Sequence, residues 1–145
     1  RPLSVEQKKL FNDIPDGETF ADKLQCGIRA ISLVSQTGLI TAFSNDVAAD
    51  MIFAQQVFAY AQRSEDVLIA LSTSGNSKNV VNSVYAAKAA GIRSVAITGE
   101  NDSKLSEYSD ITIKLPAHTP FEVQELTLPV YHALCAAVEA EMFDE

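Results

Sequence analysis

The chain has 145 residues, 47% hydrophobic and 21% charged. That suits one globular domain with its own core and excludes a disordered chain. Its formal net charge is −8 and its eleven Lys and Arg residues are scattered, with only Lys8 and Lys9 adjacent, so direct nucleic-acid binding, which needs a basic patch, is disfavoured.

A small anionic ligand stays open, because it needs only a few aimed donors. No apolar run reaches about 18 residues, so no membrane span is expected. Nothing at the N-terminus resembles a signal peptide. Cys26 and Cys135 show no metal-ligand spacing and read as two buried, reduced thiols, which fits a cytoplasmic protein.

Residues 4–12 read as a short helix with Ser4 as N-cap. A turn at 14–18 and a helical piece at 19–25 follow. "RAISLV" (29–34) reads as the first strand, and 37–43 and 48–63 as helices, the second with Met51, Ile52, Gln55, Phe58 and Ala59 at helical spacing. "DVLIAL" (66–71) is near-continuous in apolar residues, the pattern of a strand buried on both faces. Residues 76–90 form a helix stopped by Gly91, and "RSVAIT" (93–98) is another buried strand. A loop with a short helix (102–109) leads to "DITIKL" (110–115), whose alternation and following Pro116 mark an edge strand. One long helix closes the chain at 120–143, with Pro129 expected to kink or break it. Strands alternating with helical crossovers predict an α/β fold, a parallel sheet flanked by helices on both faces. Four strands are read, and no linker or repeat divides residues 1–145, so a single domain is expected.

The stretch "STSGNS" (72–77) interrupts this rhythm. It sits at the carboxyl end of a strand, where open α/β sheets bind ligands, and it opens the next helix. Helix-opening amides lack internal partners and carry positive potential. Gly75 permits a turn closed to other residues and lets the backbone approach an anion. Ser72, Thr73, Ser74 and Ser77 add four hydroxyls, more than one N-cap requires. The loop reads as a phosphate cradle. It is not a P-loop, because the Gly-Lys-Ser/Thr ending is absent.

"STSGNS" after a buried strand resembles the signature of sugar isomerase (SIS) domains, which are three-layer, flavodoxin-like or Rossmann-like α/β sandwiches. From about Arg29 to Glu141 the chain is similar to the phosphoheptose isomerase branch, through "SND" (44–46), "EDVLIALSTSGNS" (65–77), "AITGENDSKLSEYSD" (96–110) and "VQELTLPVYHALCAAVEAEM" (123–142). The resemblance implies an aldose–ketose isomerase converting sedoheptulose 7-phosphate to D-glycero-D-manno-heptose 7-phosphate. It implies a homotetramer with sites between subunits. It assigns phosphate binding to Ser72, Thr73, Ser74 and Ser77, a zinc ion to Gln124 and His132, substrate contact to Gln124, and acid/base catalysis to His132. The reaction moves a proton between adjacent carbons through an enediol. It needs one group to carry the proton and another to steady an oxyanion; histidine suits the first task near neutral pH. Gln124 and His132 lie about 12 Å apart along a straight helix and about 80° apart around it, so one ion takes both only if they lean together or the helix kinks. Otherwise they serve different sites.

The resemblance also exposes departures. A glycine-rich "GNGGS"-type loop and a helix bearing a His and a catalytic Glu are absent, and the resemblance places them upstream of Arg1. An N-terminally incomplete SIS domain, inactive alone, is therefore expected. The family's substrate-contacting Asp after the "AIS"-like strand falls on Gln36, which keeps hydrogen bonding but loses charge, so a different phosphosugar is open. His118 reads as a surface residue. The competing functions are a non-catalytic SIS scaffold that binds a replication initiator protein, and a phosphosugar-binding regulator. His132 favours the enzyme over the scaffold. Oligomerisation surfaces are sought on 48–63 and on the final helix.

Overall fold

The computed structural model describes residues 1–143, which divide into two compact units. One comprises Arg1–Ile31 with the chain from Glu139 on, and the other is Ser32–Val138.

The first unit holds helices α1 (Val5–Lys9) and α2 (Gly17–Lys23). Ser4 caps α1 as expected: its Oγ accepts from Gln7 N at 3.2 Å, and Gln7 Oε1 accepts from Ser4 N at 2.9 Å. That reciprocal pair is a capping box. Lys8 and Asp22 join the two helices by an ion pair at 3.0 Å, and the rings of Phe11 and Phe20 stack at 6.2 Å.

The second unit is the α/β body. After α3 (Thr37–Phe43) come a π-helical turn (Ser44–Ala48), a 3-10 turn (Ala49–Met51) and α4 (Ile52–Tyr60). Then strand and helix alternate through β1 (Val67–Leu71), α5 (Lys78–Ala90), β2 (Arg93–Gly99), α6 (Lys104–Tyr108), β3 (Ile111–Leu115) and α7 (Pro120–Phe143). The three strands are all parallel, in the order β1-β2-β3, with Ile69 opposite Val95 and Ala96 opposite Thr112. β3 is at an edge, as its alternation predicts.

Apolar residues on both sheet faces explain the layers. On one face Leu68, Ala70 and Ala96 pack with Val57 of α4, Val81, Val84 and Ala87 of α5, and Leu105 of α6. On the other, Ile97 and Leu115 pack with Val123 of α7, and Val130 and Leu134 lean against them. Burying one such aliphatic side chain contributes about 1.5–3 kcal/mol. Gly91 ends α5 in the left-handed conformation (φ 74°), and Ile92 N reaches back to Ala87 O at 3.1 Å.

Five expectations are corrected. Residues 29–34 form no strand: no strand lies beside them among the described residues, and a strand exists only through a partner for its backbone groups. The segment instead closes into a 3-10 turn at Leu33–Ser35. The helix read at 48–63 begins in earnest only at Ile52, because the π and 3-10 turns reset its register. β1 is not buried on both faces. Leu68 and Ala70 are inside, but Val67, Ile69 and Leu71 are 55%, 54% and 48% exposed, because α7 packs over β2 and β3 instead. Cys135 is exposed and Cys26 half-buried, both free thiols; Cys135 rides an α7 surface that nothing in the described residues covers. α7 itself runs unbroken through Pro129, so the proline makes no break.

Candidate functional site

The site begins where β1 stops. Ser72 N donates to Ile97 O at 3.1 Å, which carries the parallel pairing one residue past the strand. The chain then turns. Gly75 N donates to Ser72 O at 3.1 Å, and Gly75 takes φ +64°. A Cβ on Gly75 would lie 2.1 Å from Ser103 Oγ and 3.2 Å from Thr98 Cγ2, so conformation and space both demand glycine.

The loop is tied down from both sides. Gly75 O accepts from Leu105 N at 3.0 Å, and Asn76 Oδ1 accepts from Lys104 N at 3.1 Å, so the start of α6 grips it. Gly99 N donates to Thr73 O at 3.1 Å, and a side chain on Gly99 would crowd that same oxygen at 3.0 Å.

The hydroxyls divide their work. Ser72 Oγ and Ser77 Oγ lie 3.0 Å apart and share a hydrogen bond. Ser77 is the N-cap of α5, yet its side chain caps no amide. The amides of Lys78 and Asn79 therefore have no partner among the described residues. Unpaired amides at the positive end of a 13-residue helix attract an anion. Lys78 itself is engaged by Asp50 at 2.6 Å, and that hydrogen bond holds the Asp50 carboxyl below the usual carboxylate range. Asn82 Nδ2 donates to Asp50 O at 2.9 Å and anchors the 3-10 turn to α5.

A cavity of about 300 Å³ opens against this loop. It is lined by Ser72, Thr73 and Ser77 of the loop, by Leu71 and Ile97 of the strands, and by Val123, Gln124 and Thr127 of α7. Tertiary packing thus brings together three of the four loop hydroxyls and Gln124, fifty residues apart in sequence. Ser74 turns to a second cavity of about 230 Å³, which Thr73 shares and which His118 also lines. Ser74 Oγ accepts from Asn76 N at 3.2 Å, so it also shapes the turn. His118 is exposed, as expected, and pairs with Glu100.

Gln36 and His132 line neither cavity. Gln36 is half-buried at the head of α3, where its carbonyl accepts from Ile40 N at 2.9 Å. His132 is exposed on α7, two turns beyond Gln124, its ring edge-on to Tyr131 at 4.5 Å. The residues present do not fit a zinc ion. Zinc takes four donors, the resemblance assigns two on this helix, and of those only Gln124 lines the cavity. No group of three or more His, Cys, Asp or Glu is placed to hold a metal among the described residues. Thr127 is the polar lining residue of the larger cavity that sequence reasoning missed. Its signal was its spacing, three residues after Gln124 on one helix face.

The chain is similar to known proteins. Residues 33–137 match the family described as "SIS domain". The chain is similar to the phosphoheptose isomerase of Thiobacillus denitrificans, 41% identical over 117 residues that make up 79% of this chain and 59% of that protein. It is similar to that of Rhodospirillum rubrum at 38% identity, covering 81% and 62%. The chain thus spans less than two thirds of these relatives' lengths. Among solved structures, the Neisseria gonorrhoeae phosphoheptose isomerase superposes with a TM-score of 0.74 at 32% identity, covering 85% of this chain and 69% of that one. The Francisella tularensis enzyme gives 0.73 at 28%, covering 89% and 65%. The match over most of the α/β body, with the hydroxyl loop inside it, places the chain in the SIS domain family.

Proposed function

We propose that this chain is the phosphosugar-binding domain of an aldose–ketose isomerase that converts sedoheptulose 7-phosphate to D-glycero-D-manno-heptose 7-phosphate. One observation carries the reading: the helix-opening hydroxyl loop and Gln124 of α7 line one cavity. The names of the similar proteins support an isomerisation of a phosphoheptose, and the resemblance read in the sequence supplies sedoheptulose 7-phosphate. In this proposal the phosphate sits on the Lys78 and Asn79 amides with Ser72, Thr73 and Ser77, and the sugar chain extends toward Gln124.

His132 is proposed to move the proton between the two carbons. It lies off the cavity of its own chain, so the role calls for His132 to enter the cavity of a second copy. The proposal therefore includes a homotetramer with sites between subunits. Ser74, Gln36 and His132 hold their substrate roles through resemblance alone. Zinc is kept only as a ligand whose further donors come from outside these residues, and no step is assigned to it. A cytoplasmic location belongs to the same proposal.

The test is turnover and binding of sedoheptulose 7-phosphate, measured side by side. The parent chain should bind it, and Ser72→Ala with Thr73→Val should bind it at least tenfold more weakly, about the loss of one or two hydrogen bonds. Wherever turnover is seen, His132→Ala should abolish it while binding stays. Unchanged affinity in the double variant sinks the cradle; full turnover in His132→Ala sinks the catalytic role.

A further inference from the structure

Thr127 lines the same cavity as the hydroxyl loop, one helical turn past Gln124. Its Oγ1 donates to Val123 O at 2.7 Å. A threonine hydroxyl has one proton to give and two lone pairs to accept with. With the proton spent on Val123, Thr127 offers the cavity acceptors only.

The loop has the reverse character. Next in the chain to the lining residue Ser77, though not themselves lining the cavity, the Lys78 and Asn79 amides are donors without partners among the described residues. Ser72 and Ser77 spend one of their two protons on each other and keep one free. The cavity is therefore polarised, with donors at the loop and a lone-pair oxygen at α7. A phosphate dianion has lone pairs and no proton to give, so it is drawn to the loop and repelled from Thr127. A carbon-bound hydroxyl has a proton to give, and Thr127 Oγ1 takes it.

We infer that Thr127 is a specificity-determining residue that accepts a hydrogen bond from a sugar hydroxyl. It orients a polyhydroxylated monophosphate with its phosphate on the loop and its hydroxyl-bearing chain on α7. Ile97, Val123 and Leu71 supply the apolar surface between the two ends. The inference rests on the phosphosugar reading above and adds the direction in which the ligand lies. Gln124 cannot set that direction, because its amide carries both a donor and an acceptor and suits either end.

The experiment is calorimetric titration of the parent, Thr127→Val and Thr127→Ser with two probes, inorganic phosphate and sedoheptulose 7-phosphate. Valine keeps the branched shape and removes the oxygen; serine keeps the oxygen. Phosphate should bind all three equally. Sedoheptulose 7-phosphate should bind Thr127→Val about tenfold more weakly than the parent, and Thr127→Ser like the parent. Equal sugar-phosphate affinity in Thr127→Val and the parent overturns the inference. So does a matching loss of phosphate affinity in Thr127→Val, which would mean the hydroxyl serves packing. A parent that binds sugar phosphate but not phosphate refutes the orientation. A parent that binds neither probe refutes the loop as a cradle, and the inference falls with it.

Discussion

Gly75 shows most sharply how single residues make the site. Two separate constraints meet there: a left-handed φ of 64° and a Cβ position 2.1 Å from Ser103 Oγ. Gly75→Ala should therefore destabilise the protein by about 1–3 kcal/mol, the range for strained left-handed residues, read as a lower urea midpoint. Phosphate affinity should fall with it, because the turn aims the Ser72 and Ser77 hydroxyls. Gly75→Asn separates the two constraints. Asparagine tolerates the dihedral but still carries a Cβ, so it should lose less than alanine, and the loss that remains reports the Ser103 contact. A near-parental midpoint for Gly75→Asn would show that the Ser103 contact yields easily. Buried Gln56 makes a quieter contribution: its Nε2 donates to Leu33 O at 3.1 Å and to Ile52 O at 3.0 Å, which ties the 3-10 turn before α3 onto α4.

Between elements, the β2–β3 connection carries a titratable lock. Asp110 Oδ2 accepts from Ser94 N at 2.7 Å and from Ser94 Oγ at 3.0 Å, so the start of β3 is pinned to the start of β2. The Ser94 amide is the main reason the Asp110 carboxyl is held below its usual value, the Ser94 hydroxyl adds to it, and partial burial opposes both. A carboxylate favoured in the folded state binds its proton less tightly there than in the unfolded chain. Its contribution is thus fully present above the ordinary carboxylate range and is lost as pH falls through the lowered value. Asp110→Asn keeps an acceptor but does not titrate, so its urea midpoint should fall less steeply than the parent's between about pH 5 and pH 3. Parallel slopes would remove Asp110 from the acid response. The break between residues 44 and 52 is also an element-scale fact. Apolar spacing promised one helix over 48–63, but a π turn and a 3-10 turn intervene. Spacing reports which residues want burial, and it is blind to a local change of helical pitch.

For the whole molecule, the main feature is apolar surface left open on an acidic chain of net charge −8. Val67, Ile69 and Leu71 present an exposed stripe on β1, an edge strand whose outer backbone groups have no strand partner among the described residues. Such an edge invites association. Ile69→Lys should lower concentration-dependent light scattering and leave the thermal midpoint within a degree or two, because the side chain is already about half in water. Scattering that is unchanged would place the sticky surface elsewhere, with exposed Phe121 and Leu128 of α7 the next suspects.

The sequence by itself determined what depends on neighbours along the chain. Apolar runs bounded by polar loops marked β1, β2, β3, α5 and α7, Ser4 and Gly91 marked helix ends, and "STSGNS" marked an anion-binding loop at a strand's carboxyl end. These rest on local rules of capping, turn chemistry and periodicity, and the parallel sheet between helices follows from their alternation. Only the tertiary structure decided what depends on contacts across the chain. Residues 29–34 have strand-like composition but no partner to pair with. β1 looks buried on both faces, yet α7 covers its neighbours instead. Gln124 and Thr127 share a cavity with the hydroxyl loop while His132, on the same helix, turns elsewhere. Composition says what a residue prefers; which surface it meets is settled by packing among segments tens of residues apart.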